Sequence, residues 1–298
     1  MAVLLLLLAA GSSAVLAAPV AIEIVLSKGD APYRKVAETI ENAVSADKTN
    51  IVIHTIDDDP EDPGYQPDIA IAVGAKATRH LLQRKDKTPV IATLIPRLVY
   101  RDIMEEHAQN FPKYRRVTAA VFLDQSPGRQ IRLGKRLVKR SKIGVIPVAP
   151  GRNAIAKEYK EAGETLGMEI HQIEVPKERD FVDQLRTSDI HAEIVYGVFD
   201  PKFITRTSIK QLIYYSFHKR MALIGYSHPM SKAGALASIY STPEQVGKTA
   251  GKLVHQWLQK KEIKDGEQIY PDEYVITCNE ALFDYLAVFP SECPVSVD

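Results

Sequence analysis

The sequence predicts an α/β protein of two lobes, each a parallel sheet flanked by helices, joined by strands that cross between them. Three observations carry this reading. Short β-branched runs alternate with helical stretches of ~10–15 residues along most of the chain, the mark of right-handed βαβ crossovers. The alternation comes in two series, about four units before residue 120 and about four after residue 142. The length of 298 residues suits two cores of ~100–150 residues better than one very large sheet.

The first series opens with Val20–Leu26 (VAIEIVL), a strand that ends in the loop Ser-Lys-Gly-Asp. Tyr33–Val44 carries Val36, Ile40, Ala43 and Val44 at helical spacing, and Pro32 suits its first turn. Ile51–Ile56 is the next strand. The acidic stretch 57–64 (DDDPEDPG) lacks the ligand spacing of an EF-hand and reads as a solvated loop. Asp68–Val73 is a strand running into Gly74, and Ala75–Arg84 is a helix with Leu81 and Leu82 inward. Strand Pro89–Ile95, helix Leu98–Ala108, strand Arg116–Leu123 and helix Gln130–Arg140 complete the series.

The second series begins with strand Ile143–Val148, a turn through Arg152, helix Ala154–Leu166 and strand Met168–Val175. Helix Phe181–Arg186, strand Glu193–Val198, helix Thr205–His218 and strand Met221–Tyr226 follow. The tail adds strand Leu236–Tyr240, helix Pro243–Gln259 and strand Tyr274–Thr277. Thr242, Pro243 and Gln245 form the start of a capped helix, and Val246, Ala250, Leu253, Val254 and Trp257 make its apolar stripe. At that spacing Trp257, the sole tryptophan, reads as core. The tail is expected to return to the first lobe, giving lobe 1 over 18–122 plus 236–298 and lobe 2 over 123–235.

Residues Val3 to Ala18 are apolar apart from Gly11, Ser12 and Ser13, and no charged side chain precedes Glu23. Such a run is short for a membrane span, which needs about 20 residues. It ends in Val15-Leu16-Ala17, which resembles a signal-peptidase site. The reading is a signal peptide over 1–17, cleaved near Ala17, and a periplasmic protein; a buried first strand is the alternative. Export changes the meaning of the two cysteines, Cys278 and Cys293. In an oxidising compartment they are a disulfide candidate worth roughly 3 kcal/mol, with two buried thiols as the alternative.

Composition and motifs exclude more than they assign. With 38 Lys+Arg against 37 Asp+Glu, the formal charge of +1 argues against a nucleic-acid partner. Gly247-Lys248-Thr249 has Thr242 where a phosphate loop needs glycine, and it lies inside the capped helix. No G-x-S-x-G elbow, G-x-G-x-x-G fingerprint or H-E-x-x-H pair is present, and the carboxylates are scattered. The motifs therefore indicate no enzyme activity, cofactor or metal. A basic run (Arg129, Arg132, Lys135, Arg136, Lys139, Arg140, Lys142) forms a cationic helix face, either solvated or a docking surface.

Pro67-Asp68-Ile69-Ala70-Ile71-Ala72-Val73-Gly74 resembles a strand-and-turn of ABC-transporter substrate-binding proteins of the TrpX-like family. The segments 123–130 (LDQSPGRQ), 142–146 (KIGVI), 234–240 (GALASIY) and 243–247 (PEQVG) are similar to later parts of it, in order. Ile95-Pro96-Arg97 and Arg116-Val117-Thr118-Ala119 depart from its pattern. The resemblance implies a type I periplasmic-binding-protein fold, two Rossmann-like lobes that close on a small molecule. It implies a monomer that hands an amino acid or related organic anion to an ABC permease in the inner membrane. An exported sensor or adaptor of the same fold, signalling to a membrane or outer-membrane partner, is the alternative.

Ligands of open α/β sheets bind beyond the carboxyl ends of strands. That rule nominates Ser27, Lys28, Gly74, Ala75, Lys76, Pro96, Arg97, Asp124 and Gln125 on the first-lobe side. On the second-lobe side it nominates Arg152, Asn153, Asp200 and Tyr226. Gly74 would offer backbone N–H groups to a carboxylate, Arg97 or Arg152 a two-pronged pair, and Asp124 or Asp200 a partner for ammonium.

Overall fold

Two six-stranded sheets divide the chain. The computed structural model describes residues 18–45, 48–58, 66–111, 116–188, 190–286, 288 and 292–297. The apolar leader and acidic-loop positions 59–64 lie outside those residues.

The first sheet contains β1 (Val20–Leu26), β2 (Thr49–Thr55), β3 (Ile69–Val73), β4 (Val90–Ile95) and β5 (Thr118–Phe122). Helices α1 (Ala31–Val44), α2 (Ala75–Gln83) and α3 (Arg97–Asn110) connect them. The second series is α4 (Pro127–Leu137), β6 (Ile143–Val148), α5 (Asn153–Thr165), β7 (Glu169–Glu174), α6 (Phe181–Thr187) and β8 (Ile194–Tyr196). It continues through α7 (Arg206–His218), β9 (Ala222–Gly225), α8 (His228–Ala233) and β10 (Ala237–Tyr240). The chain ends with α9 (Pro243–Lys260), β11 (Glu267–Ile269) and β12 (Val275–Cys278).

The first sheet runs β11-β5-β4-β3-β1-β2 and the second β12-β10-β9-β8-β6-β7. Counted from its own first strand, each lobe has the same 2-1-3-4-5 order followed by a sixth strand. That strand is parallel in the first lobe (β11 beside β5) and antiparallel in the second (β12 beside β10). β3 and β5 are buried along their whole length, as strands covered by helices on both faces must be.

Residues 236–298, expected to join the first lobe as one block, divide between the two lobes. β10 pairs in parallel with β9 (Ala237 opposite Ile224) and antiparallel with β12 (Ala237 opposite Cys278), so both belong to the second sheet. β10 is the fifth strand that completes that lobe's order. Among the described residues of the tail, α9 and β11 are the elements that rejoin the first lobe. The α9 cap forms as expected: the Gln245 N–H donates to Thr242 Oγ1 at 3.2 Å and the Thr242 N–H to Gln245 Oε1 at 2.9 Å. α9 then lies tightly on α1, since a Cβ on Gly247 would stand 2.7 Å from Thr39 Cβ and one on Gly251 2.7 Å from Ala43 Cβ. Trp257 is buried in the same first-lobe core.

The chain therefore passes between the lobes three times, after β5, after β10 and after β11. One residue from each passage joins a hydrogen-bond chain. Gln125 Nε2 donates to Ser241 Oγ at 2.5 Å, and Ser241 Oγ donates to the Glu273 carbonyl at 2.7 Å. Cys278 and Cys293 are bonded, with Cα atoms 5.7 Å apart, and tie the carboxyl tail to β12. Val288 and Val297 of that tail pack into the second-lobe core.

The first lobe also holds a buried carboxylate, Glu23 on β1. It accepts from Arg84 Nη1 at 2.6 Å and Nη2 at 3.0 Å, and lies 3.0 Å from His54 Nε2. Burial works against its charge, but the His54 and Arg84 hydrogen bonds outweigh it and hold the pKa at about 2. Among the described residues no helix is long and apolar enough to cross a membrane, and no group of side chains is arranged to hold a metal.

Candidate functional site

The crevice between the lobes is built by strand ends. On β4 the register shifts between Thr93 and Ile95, and Leu94 takes φ of 50°. This bulge re-aims the chain as it leaves the sheet. Pro96 then caps α3, and Arg97 becomes its first residue. Asp124 follows β5, and its carboxylate accepts the Arg97 N–H, one of the groups a helix start leaves unpaired.

A narrow crevice lies between the lobes. Its first-lobe wall is Arg97, Leu98, Asp124 and Tyr270, with Gln125 at the hinge. Its second-lobe wall includes Gln130, Tyr159, Phe199 and Tyr226. Four of these residues stand just past strands: Asp124 after β5, Tyr270 after β11, Phe199 after β8 and Tyr226 after β9.

The polar groups form a short, nearly closed set of contacts. Arg97 Nη1 donates to Tyr270 Oη at 2.6 Å, and Nη2 pairs with Glu158 of α5. Tyr159 Oη donates to Gln130 Oε1, and Gln130 Nε2 donates to the Gly197 carbonyl at 3.3 Å. Phe199 meets Tyr226 edge-on, with ring centroids 5.7 Å apart. Burial pushes Asp124 up to about 6, against the pull of the Arg97 N–H and charge. Burial likewise raises the hydroxyls of Tyr159, Tyr226 and Tyr270 above the ordinary tyrosine range, and the Asp124 charge adds to the effect in all three.

Among the described residues, two ion pairs cross from lobe to lobe and hold the crevice shut. One is Arg97 with Glu158. In the other, Arg152 at the start of α5 reaches both oxygens of Asp102 on α3, at 2.6 and 2.8 Å. Arg152 also meets Asp200 in its own lobe at 3.1 and 3.2 Å. Leu98 of α3 packs into the second-lobe core with Ile155 and Tyr159.

Of the residues nominated from sequence, Arg97, Asp124, Gln125 and Tyr226 line the crevice. Arg152 and Asp200 belong instead to the closing contact. Asp200 is fully buried and also accepts the Ala149 N–H at 3.2 Å and the Lys202 N–H at 3.1 Å, so its oxygens are occupied. Ser27, Lys28, Gly74, Ala75, Lys76, Pro96 and Asn153 do not line it. The crevice lies over the β4–β5–β11 half of the first sheet, whereas Ser27 and Gly74 end β1 and β3. There Ser27 Oγ accepts the Ala77 N–H at 2.9 Å, which occupies the helix start offered to a carboxylate. Gly74 has φ of 92°, and a Cβ on it would fall 2.7 Å from both Ser27 Oγ and Tyr33 Cε1. Packing alone therefore requires that glycine. Lys28, Lys76 and Asn153 are exposed, and Pro96 serves by aiming Arg97.

Sequence reasoning missed Tyr159, Phe199 and Tyr270. Phe199 was within its reach, because it obeys the same strand-end rule as Asp200. Tyr270 depends on β11, whose three residues carry no readable period.

No family model matches the chain, and no curated protein matches it. Solved structures do. One is the "ABC domain" in complex with L-Trp from Streptococcus pneumonia, with TM-score 0.57 and 14% identity, over 91% of this chain and 95% of that one. Another is the ligand-free, open structure of a substrate binding protein with adhesive properties from Clostridium difficile. It has TM-score 0.65 and 12% identity, over 91% of this chain and 95% of that one. A periplasmic ribose ABC transporter structure from Conexibacter woesei gives TM-score 0.52 and 12% identity, over 91% and 95%. The fold is that of the type I periplasmic binding proteins.

Proposed function

We propose that this chain is a solute-binding component of an ABC-type transporter and captures a small molecule bearing an ammonium group. The observation that carries this is Asp124, a carboxylate set among Tyr159, Tyr226, Tyr270 and Phe199 in the crevice between two lobes. The one guanidinium beside it, Arg97, is already matched by Glu158, so a cation completes the charge of the site. Aromatic faces around a carboxylate suit an ammonium electrostatically and its apolar body by contact. In this arrangement the walls stand close together, so a ligand needs the lobes to part before it is seated. Among the ligands expected from sequence the ammonium-bearing ones are favoured over simple organic anions. An amino-acid carboxylate would compete with Glu158 for Arg97.

Entry requires the Arg97–Glu158 and Arg152–Asp102 pairs to part, so capture couples to lobe opening and closure. The permease that would receive the ligand is proposed from the resemblance of the 67–74 and 234–247 segments. A thermal-denaturation panel tests the crevice: aryl-alkyl amines and amino acids against sugars and dicarboxylates. A true ligand at about 100 times its Kd should add about 2.7 kcal/mol of stability, and Asp124→Asn should remove the effect. Stabilisation by sugars or dicarboxylates alone, unchanged in Asp124→Asn, would reject the assignment.

A further inference from the structure

Of the basic run noted in the sequence, Arg129, Arg132, Lys135 and Arg136 lie on α4 and three of them are bonded within the molecule, while Lys139, Arg140 and Lys142 follow the helix and are exposed. Arg129 donates to Gln125 Oε1 at 2.8 Å and to the Pro271 carbonyl at 2.6 Å, and lies over the Tyr274 ring. Lys135 donates to the Leu166 carbonyl and Arg136 to the Ser296 carbonyl. The outward face of α7 differs. Arg206, Lys210, Tyr214 and Phe217 fall within about 80° of one another around the helix at 100° per residue. Tyr214 is 69% exposed and Phe217 43%.

The segment 206–220 (RTSIKQLIYYSFHKR) holds one arginine at each end, two lysines, and no Asp or Glu. Among the described residues none of Arg206, Lys210, Lys219 and Arg220 forms an ion pair with a carboxylate. Tyr285 extends the patch, stacked on Phe217 at 4.7 Å and beneath the Arg220 guanidinium at 5.1 Å. The exposed Asp284 beside it is the nearest acid in sequence.

We infer that this face docks the protein onto an anionic lipid surface. Charge decides the sign of the partner: four cations on a segment without an acid, with Asp284 alone at its edge, leave the face net positive and complementary to anions. The side chains decide its kind. Tyrosine and phenylalanine interleaved with lysine and arginine are what the boundary between headgroups and acyl chains accommodates. Protein interfaces favour arginine and tyrosine too, but they deplete lysine, which supplies half the formal cations here. Tyr214 and Phe217 project from a helix whose opposite side is anchored in the second-lobe core by Leu212, so ring and charge positions are fixed. None of these residues lines the crevice, so the inference stands apart from ligand identity.

The test is co-flotation of the full chain with phosphatidylcholine vesicles, with and without phosphatidylglycerol, at low and high salt. Binding should appear only with phosphatidylglycerol and weaken with salt. Each cation removed should cost about fivefold, so Arg206→Gln/Lys210→Gln should lower partitioning about 25-fold. Tyr214→Ser, at an exposed site, should lower it while leaving the melting temperature unchanged. Absence of co-flotation, or equal partitioning of the wild type and the double variant, would overturn the inference. So would binding to polyglutamate but not to vesicles, which would hand the face to an acidic protein.

Discussion

Replacing Asp124 by asparagine separates what this carboxylate does for binding from what it does to stability. Its pKa of about 6 stands above the ordinary 3.8, so the folded protein holds that proton more tightly than the unfolded chain does. At ~1.4 kcal/mol per pH unit, the ionised form in the folded state costs at most about 3 kcal/mol. Stability from this group is full below pH 3.8 and is lost as pH rises towards about 6. Asparagine keeps an oxygen for the Arg97 N–H but carries no charge, so the variant should be indifferent to that rise. Urea midpoints at constant m, taken across the window, measure the difference. The variant should gain on the wild type by up to about 3 kcal/mol between pH ~4 and ~7, while losing ammonium ligands. A stability difference that stays flat over that range would refute the reasoning, because Asp124 would then not be charged at a cost.

Three further outcomes follow from contacts elsewhere. Asp102→Asn removes the cross-lobe partner of Arg152 while Asp200 remains. A charge-assisted pair of this kind is worth ~1–3 kcal/mol, so the lobes should open, visible as a larger radius of gyration in solution scattering; an unaltered profile would count against the latch. Glu23→Gln should destabilise by about 3 kcal/mol in denaturant titrations by leaving Arg84 and His54 without their buried anion. Because the Glu23 pKa is held at about 2 against an ordinary 4.5, the wild type should shed this contribution as pH falls from 4.5 towards 2; the glutamine variant should lack that acid limb. Reducing the Cys278–Cys293 bond should cost about 3 kcal/mol, read as a lower urea midpoint with reductant than without. Coincident midpoints would show that the crosslink does not restrain the unfolded chain.

Much of this architecture could be read in advance because β-branched runs buried on both faces leave no alternation to misread. β3 and β5 are of that kind, and α9 announces itself through Thr242, Pro243 and Gln245. What escaped were elements too short to show a period, such as α8 with its six residues and β11 with three. The lobe assignment of β10 and β12 escaped for another reason: sheet membership depends on the pairing partner, and no local pattern encodes that. The crevice was half legible. The strand-end rule reached Arg97, Asp124 and Tyr226, but it cannot say which half of a sheet faces the other lobe, so Ser27, Gly74 and Lys76 were drawn in as well. Arg152 looked like a ligand clamp because a guanidinium at a loop tip serves either a solute or a neighbouring carboxylate, and only geometry reveals Asp102.

The return of α9 to α1 has a consequence for biogenesis. A nascent chain emerges amino end first, yet the first lobe lacks a large share of its interior until residue 260 has left the ribosome, by which point β6 through β10 have already been made. The earlier half must therefore wait, partly assembled, with the α1 surface bare around Thr39 and Ala43. Since the only tryptophan rides on the late-arriving helix, intrinsic fluorescence would time-stamp the moment the waiting half is sealed.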